Sequence, residues 1–409
     1  MFRRLDCRPG HLLLLLLVSA ALNLPNLGAA SLWDIDEGNN AEAAREMDTT
    51  GDWVVPKFNG ELRVDKPALL YWLQLGAYRA FGINEFAARL PSALAAMAAV
   101  LGVYELGRRL FGAGAGLLGG LVFASSLAPT VAGHFANPDA LLTACAVWTL
   151  FFFWAGFARY GRPLFVPMGG CMGLAMLAKG PVGLVLPLAV ATLFLLWSGR
   201  LRCLLDRRLL WGTLAFVLVM VPWYAWVATE TKAEFLRGFF LTHNLGRALS
   251  PMENHRGPFF YYAAVLPLGF LPWSVFLGLT GWYGVQALRA GRGDAAPVPA
   301  EQRLAARLLW CWVAVYFLAF SVVATKLPNY ILPLYPPLAL LTGWALDRWR
   351  RGAIEPRPWA LRLSLAGLGL TGAGLALGLL LLGGALPAAW VPDTPLPGLR
   401  PWAAAGALP

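Results

Sequence analysis

Charge is what this chain has least of. Only 13% of its 409 residues are Asp, Glu, Lys or Arg, against 58% hydrophobic, where a soluble domain carries about a quarter charged residues. That deficit excludes an ordinary soluble globular fold. Signals for redox, metal or nucleotide chemistry are equally sparse. The five cysteines (Cys7, Cys145, Cys171, Cys203, Cys311) are odd in number and scattered, so no disulfide framework is expected. The chain has no CxxC, and its four histidines form neither HxxxH nor HExxH. With no P-loop and no GxSxG elbow, nucleotide chemistry on a soluble domain is unsupported and no nucleotide cofactor is expected. The net charge of +11 does not call for nucleic acid. Its cations sit in short segments between apolar runs, where they set topology and meet anionic membrane lipids.

What is present is the pattern of an all-α polytopic membrane protein. Hydropathy and the positive-inside rule predict about eleven spans. They fall near 11–30, 88–107, 113–131, 138–157, 163–178, 181–197, 209–228, 259–281, 308–324, 330–346 and 363–385. Arg3 and Arg4, a leucine run and GAAS imitate a secretory signal, but the run is long enough to span and reads as a retained first helix. Residues 67–86 are apolar yet carry Arg79 and several aromatics, the pattern of a helix lying in the interface. With the N-terminus in the cytoplasm, most of the 33 Lys and Arg fall inside. Two polar loops, 31–86 and 229–257, then share the periplasmic face with the turns at Asp139, Lys179 and Lys326. The expected organisation is one transmembrane catalytic domain over 1–385, then a tail over 386–409 with no soluble C-terminal domain.

The segment from Ser31 to Lys66 holds nine of the 22 acidic residues. Asp36 and Glu37 lie just past the first span, at headgroup level, where a carboxylate can act as a general base on an acceptor hydroxyl or amine. The other acids of the segment read as solvated. Lys66, Lys179, Arg247, Arg256 and Lys326 come from separate segments on that same face, and cations so placed can form a phosphate pocket. Each lysine alone also fits snorkelling from a helix end. Asp139, in Asn137-Pro138-Asp139, reads as a helix cap with room for a further role. The pair His243 and His255 is weak evidence for a metal. Phe259-Phe260-Tyr261-Tyr262 and Trp273 fit an interfacial aromatic belt first and a platform for a polyprenyl chain second.

Five separated segments carry a resemblance: LWDIDEGNNAEAAREMDTTGDWVVPKFNGELRVDKPALLYW, FGINEFAARLPS, MLAKGPVGLVLP, THNLGRALSPMENHRGPFFYYAAVLPLGFLPW and ATKLPNYILPLYPPLALL. Together they resemble the bacterial GT-C glycosyltransferases of the ArnT and dolichyl-phosphate-mannose-protein mannosyltransferase-like family. The resemblance implies a GT-C transmembrane helix bundle in the bacterial inner membrane, with a periplasmic active site. It implies transfer of a sugar, a pentose such as aminoarabinose or a hexose such as mannose, from a polyprenyl-phosphate-linked donor. The acceptor it implies is lipid A, a glycan or a protein. Asp36 matches the catalytic base, with Glu37 completing the DE pair. Lys66 matches the donor-phosphate lysine, and Asp139 and Lys179 match two further site residues. His243, Arg247 and His255 match the second polar loop. A divalent metal ion such as zinc is implied at Asp65, His243 and Tyr330.

Two departures stand out. Asn39-Asn40 replaces a common Arg-Tyr after the DE pair, and the chain ends soon after its last span, which puts acceptor recognition elsewhere or with a partner. A transporter or a lipid-linked-sugar flippase is the rival class. It would explain the many spans, but not the near absence of ionisable residues within them.

Overall fold

The computed structural model describes residues 8–32, 35–160, 163–251, 255–289 and 298–382; the expected tail over 386–409 lies outside them. Within those residues the chain is a helix bundle with one two-stranded hairpin. Each of the eleven predicted runs contains a helix. Five helices are long and apolar enough to cross a membrane: α4 (Glu85–Phe111), α7 (Asp139–Tyr160), α10 (Leu209–Glu230), α15 (Ala300–Val322) and α17 (Pro358–Leu382). Two predicted spans are bent pairs. The first joins α5 (Ala113–Ala124) to α6 (Leu127–Gly133) at 64°, and the second joins α13 (Tyr261–Gly269) to Trp273–Arg289 at 112°, the latter containing α14 (Leu277–Arg289). Three apolar helices are shorter: α1 (Pro9–Asn23), α8 (Phe165–Lys179) and α9 (Val182–Trp197). A 3-10 turn, Pro328–Leu334, leads into α16 (Tyr335–Arg350). The two breaks touch, because the Leu127 N–H donates to the Leu271 carbonyl at 2.9 Å. Such a bond pairs backbone groups that a break leaves unsatisfied away from water.

Small residues let the bundle close. A Cβ on Gly343 of α16 would lie 2.3 Å from the Gly119 nitrogen of α5, and one on Gly169 of α8 would lie 2.0 Å from the Gly212 carbonyl oxygen of α10. Close backbone approach of this kind drives helix association where no hydrophobic effect operates. Stacking of Phe111 on Trp344, with ring centroids 4.3 Å apart, fills the space beside the first crossing.

The acidic segment, expected as a loop, is mostly helix. α2 spans Ile35–Thr50 and buries Glu37, Asn40, Ala41, Ala44 and Met47, which recur every three or four residues along one face. Asp36 and Glu37 occupy its first turn, where carboxylates favour the helix dipole. α2 stops before Gly51, whose φ of +71° is left-handed. A hairpin follows, β1 (Lys57–Phe58) against β2 (Glu61–Leu62), turning at Asn59-Gly60 with positive φ at both, as a two-residue hairpin requires. The Glu46 carboxylate accepts the N–H groups of Asn59 and Gly60 and so ties the hairpin to α2. The acids read as solvated have structural partners. Asp48 pairs with Arg79, and Asp52 accepts from the Val54 and Val55 N–H groups and pairs with Lys57. As expected, α3 (Leu69–Phe81) is a separate short helix with Leu73 and Phe81 exposed on one flank.

Arg89 of α4 joins these parts. Its Nε and Nη2 donate to both Glu37 oxygens at 2.7 and 2.9 Å, and its remaining N–H groups donate to the carbonyls of Leu27, Ala30 and Ser31. Glu37 also accepts the Ala136 N–H at 3.0 Å. Removing one member of a buried ion pair leaves the other uncompensated, at a cost of about 3–5 kcal/mol. Arg89→Leu should therefore lower the thermal midpoint in detergent markedly. The double variant Glu37→Leu/Arg89→Leu should lose less than Arg89→Leu alone, and a double loss equal to the sum of the singles would refute the pairing.

Candidate active site

The site is assembled from six segments that meet at one end of the bundle. Asp36 stands on the first turn of α2. Lys66 lies between β2 and α3, Asp139 opens α7, and Lys179 closes α8. Arg247 and His243 come from the segment after α10, which runs as a short turn α11 (Glu234–Leu236), a π-helix (Arg237–Gly246) and a last turn α12 (Arg247–Leu249). Tyr330 comes from the 3-10 turn before α16.

Lys66 is the centre. Its ammonium is buried and lies 3.9 Å from Asp36 Oδ2, which is itself half exposed. Burial pushes the Lys66 ammonium below its ordinary pKa, Lys179 and Arg247 push the same way, and Asp36 and Asp139 oppose them. Two other cations are thus close enough to repel Lys66. Lys179 pairs with the buried Asp139, whose other oxygen accepts from Asn329 Nδ2 at 2.9 Å. Lys179 also lies 4.8 Å from the centre of the Tyr330 ring, and Arg247 donates to the Tyr330 hydroxyl at 3.2 Å. Three cations face two carboxylates here. A pocket with that excess of positive charge favours an anion, and separate donors on separate elements suit the oxygens of a phosphate.

Beside this centre, Asp65 Oδ1 lies 2.9 Å from His243 Nε2, and Asp65 Oδ2 lies 3.0 Å from Arg63. Burial works to raise the Asp65 carboxyl. The His243 hydrogen bond and the Arg63, His243 and Lys66 charges more than offset it, and hold the carboxyl at about 2.

Two of the other sequence candidates have structural contacts and two are exposed. Glu37 is completely buried in the Arg89 clamp, so its carboxylate orients α2 rather than facing a reactant. Lys326 donates to the Phe320 and Ser321 carbonyls at 2.8 and 2.7 Å and so caps α15. This is the expected position for a cation at a helix C-terminus. His255 and Arg256 are exposed. His255 uses its backbone carbonyl to accept the Lys326 N–H at 3.0 Å.

The implied metal site does not form as a three-ligand set. Asp65 and His243 are adjacent, but the Asp65 oxygens are taken by His243 and Arg63, and the Tyr330 hydroxyl is turned to Arg247. Among the described residues, no group of three or more His, Cys, Asp or Glu is arranged to hold a metal.

The pocket also depends on residues that sequence reasoning passed over. Arg63 is buried and bridges three elements, donating to Tyr71 of α3 at 3.1 Å and Asn40 of α2 at 3.2 Å while pairing with Asp65. Asn40 in turn donates to the Ala136 carbonyl at 3.0 Å, which fixes the approach to Asp139. The Asn39-Asn40 departure was visible in sequence, but nothing local marked Arg63 as its partner.

The fold and these residues define a multi-pass GT-C membrane protein. Residues 65–226 match the family described as dolichyl-phosphate-mannose-protein mannosyltransferase. An undecaprenyl phosphate-alpha-4-amino-4-deoxy-L-arabinose arabinosyl transferase of Pseudomonas aeruginosa is 32% identical over 383 residues, covering 92% of this chain and 65% of that protein. An uncharacterized protein of Aquifex aeolicus is 30% identical over 332 residues, covering 81% and 63%. The crystal structure of ArnT from Cupriavidus metallidurans bound to undecaprenyl phosphate matches with a TM-score of 0.77 at 29% identity, over 98% of this chain and 70% of that one. The Archaeoglobus fulgidus oligosaccharyltransferase, with a TM-score of 0.59 at 14% identity over 94% and 58% of the two chains, shares the fold alone. Along most of its length the chain is similar to members of the ArnT and dolichyl-phosphate-mannose-protein mannosyltransferase-like family. It spans less than two thirds of the length of the curated relatives it matches.

If Arg63 sets the pocket, Arg63→Met should lower activity by about 10–10²-fold, the cost of a small misplacement of reacting groups. Arg63→Lys should not restore it, because an ammonium cannot reproduce a planar fork that reaches three partners. Full activity in Arg63→Lys would remove Arg63 from this role.

Proposed function

We propose that this protein is a glycosyltransferase of the bacterial inner membrane. It transfers a sugar from a polyprenyl-phosphate donor to lipid A, a glycan or a protein on the periplasmic face. The observation that carries this reading is the meeting of Lys66, Lys179 and Arg247 beside Asp36, from four separate elements at one end of the bundle. The name of the Pseudomonas aeruginosa relative and the undecaprenyl phosphate bound by the Cupriavidus metallidurans protein support the same donor class.

In the proposed reaction Asp36 takes the proton of the acceptor hydroxyl or amine as that atom bonds to the anomeric carbon. The bond from that carbon to the phosphate oxygen breaks, and its electron pair leaves with the polyprenyl phosphate. Lys66, Lys179 and Arg247 stabilise the charge that develops on the leaving phosphate, the electrostatic term that dominates many group transfers. Lys66 lies 3.9 Å from Asp36. A phosphate beside Lys66 competes for the ammonium and leaves the carboxylate to the acceptor. Asp139 orients Lys179, and Arg247 holds Tyr330. The chemical potential for transfer resides in the glycosyl-phosphate bond itself.

Asp36→Asn keeps size and most hydrogen bonding but removes the proton acceptor, so transfer should fall by about 10²–10⁴-fold while undecaprenyl phosphate still binds. Lys66→Ala should weaken undecaprenyl phosphate binding as well as turnover, because a phosphate contact acts in the ground state and the transition state alike. Normal transfer by an inserted, folded Asp36→Asn protein would remove the proposed base. A transporter would show no such division between the two variants.

The orientation has its own test. Glu61 on the hairpin and Phe259 before α13 are both exposed. Single cysteines at the two positions should both react with a membrane-impermeant maleimide applied to the periplasmic side. Reaction at only one would break the shared-face arrangement.

A further inference from the structure

The helical segment between α10 and α13 carries two stripes with the same spacing. Phe235, Phe239, His243 and Arg247 recur every four residues, and so do Leu241, Leu245 and Leu249. Residues four apart share a side of a helix, and the two series are offset by half a turn. Phe235 and Phe239 are buried in a cluster with Val54, Met176, Trp223 and Tyr224. Further along the same stripe, His243 reaches Asp65 and Arg247 reaches Tyr330. The other stripe is bare. Leu241, Leu245 and Leu249 are 60%, 52% and 75% exposed.

What covers those leucines is indicated by their neighbours. The Ala324 N–H donates to the Ala248 carbonyl at 3.1 Å and the Thr325 N–H to the Arg247 carbonyl at 3.2 Å, so the segment ends against the top of α15. That span exposes Leu318 and Val322 on its flank. Phe259 and Phe260, just before α13, are also exposed. The leucine stripe thus continues apolar surface that belongs to a membrane span. Lys232, Arg237 and Arg256 are exposed around it. Leucines on one side with cations at the edge are the signature of a helix lying in a bilayer interface that contains anionic lipid.

We propose that Arg237–Leu249 is an arm seated in the headgroup and upper acyl layer of the bilayer around the protein, and that this seating holds His243 and Arg247 over the phosphate pocket. The occupant of the leucine face is the phospholipid bilayer itself. The second half of the proposal rests on the reading of Lys66, Lys179 and Arg247 as the donor-phosphate site. Because one helix carries both stripes, an arm lifted from the lipid carries Arg247 away from Tyr330. Only the seated fraction then binds phosphate at full strength.

The test uses the full chain in nanodiscs of phosphatidylethanolamine and phosphatidylglycerol, with the five native cysteines replaced. A nitroxide at Leu245→Cys should collide readily with oxygen and be shielded from a water-soluble nickel chelate, while a nitroxide at Glu61→Cys on the hairpin should show the reverse. Equal access of the chelate to both labels would place the arm in water and overturn the proposal. Shielding of the Leu245→Cys label from both reagents would mean that protein covers the stripe, and would overturn it as well. The link to the pocket is read separately. Leu241→Ser/Leu245→Ser/Leu249→Ser should bind undecaprenyl phosphate about tenfold more weakly, as expected when about a tenth of the protein is binding-competent. Unchanged affinity would refute the link. Lys66→Ala tells that result from failure of the phosphate site, because unchanged binding there would overturn the donor reading and leave the nitroxide result standing.

Discussion

Arg89 uses all five of its N–H donors, two on the Glu37 carboxylate and three on the backbone carbonyls that follow α1. Glu37 returns a contact to the Ala136 N–H, ahead of α7. One buried ion pair therefore fixes four things: the exit of α1, the start of α2, the start of α4 and the approach to α7. A guanidinium with every donor satisfied has few alternative arrangements, and burial makes each lost bond costly. Asp36 and Asp139 are carried by the two helix starts so fixed. The clamp does not face the pocket, yet the positions of both carboxylates depend on it.

A second tier of contacts sets the cations. Arg63 gathers Asn40, Tyr71 and Asp65, and Asp65 reaches His243 on the segment that also carries Arg247. Lys66 follows directly after Asp65, so its backbone is held from one side by this network and from the other by α3. Like charges do not gather unless something holds them. Lys66, Lys179 and Arg247 repel one another, and the cost of their proximity is met by Asp36, Asp139 and the packing of six segments.

The same logic separates this pocket from a soluble phosphate site. Soluble proteins commonly bind phosphate with the N–H groups of a glycine-rich loop and a helix N-terminus. Here most of the charge comes from side chains, supplied by the C-terminal end of α8, by the β2–α3 connection and by α12. The bundle bends at two breaks, α5–α6 and α13–α14, and the two breaks touch.

The apolar runs and the segregation of charge to their ends were legible because hydropathy is a local property of about twenty consecutive residues, although five of the described helices, or up to seven with the bent pairs, are long and apolar enough to cross a membrane, against about eleven expected spans. The pairing of Asp36 with Lys66 on one face was legible as well, through topology and the family motifs. Other features depended on residues far apart in the chain. Nothing local distinguishes Lys179, which meets Asp139, from Lys326, which turns back to cap α15. Glu37 looks like a twin of Asp36 until the side of α2 on which each lies is known, since a step of one residue turns a side chain about 100° around the helix. Arg63 and Arg89 lie within the family segments but nothing there marks their partners, and their roles arise only where segments 23 to 62 residues apart come within hydrogen-bond distance. The sequence by itself thus determined the membrane class, the apolar runs and the cast of candidate charges. Tertiary structure alone decided which charges meet, because the partner that gives each ionisable group its role is brought to it by the fold and not by its neighbours in the chain.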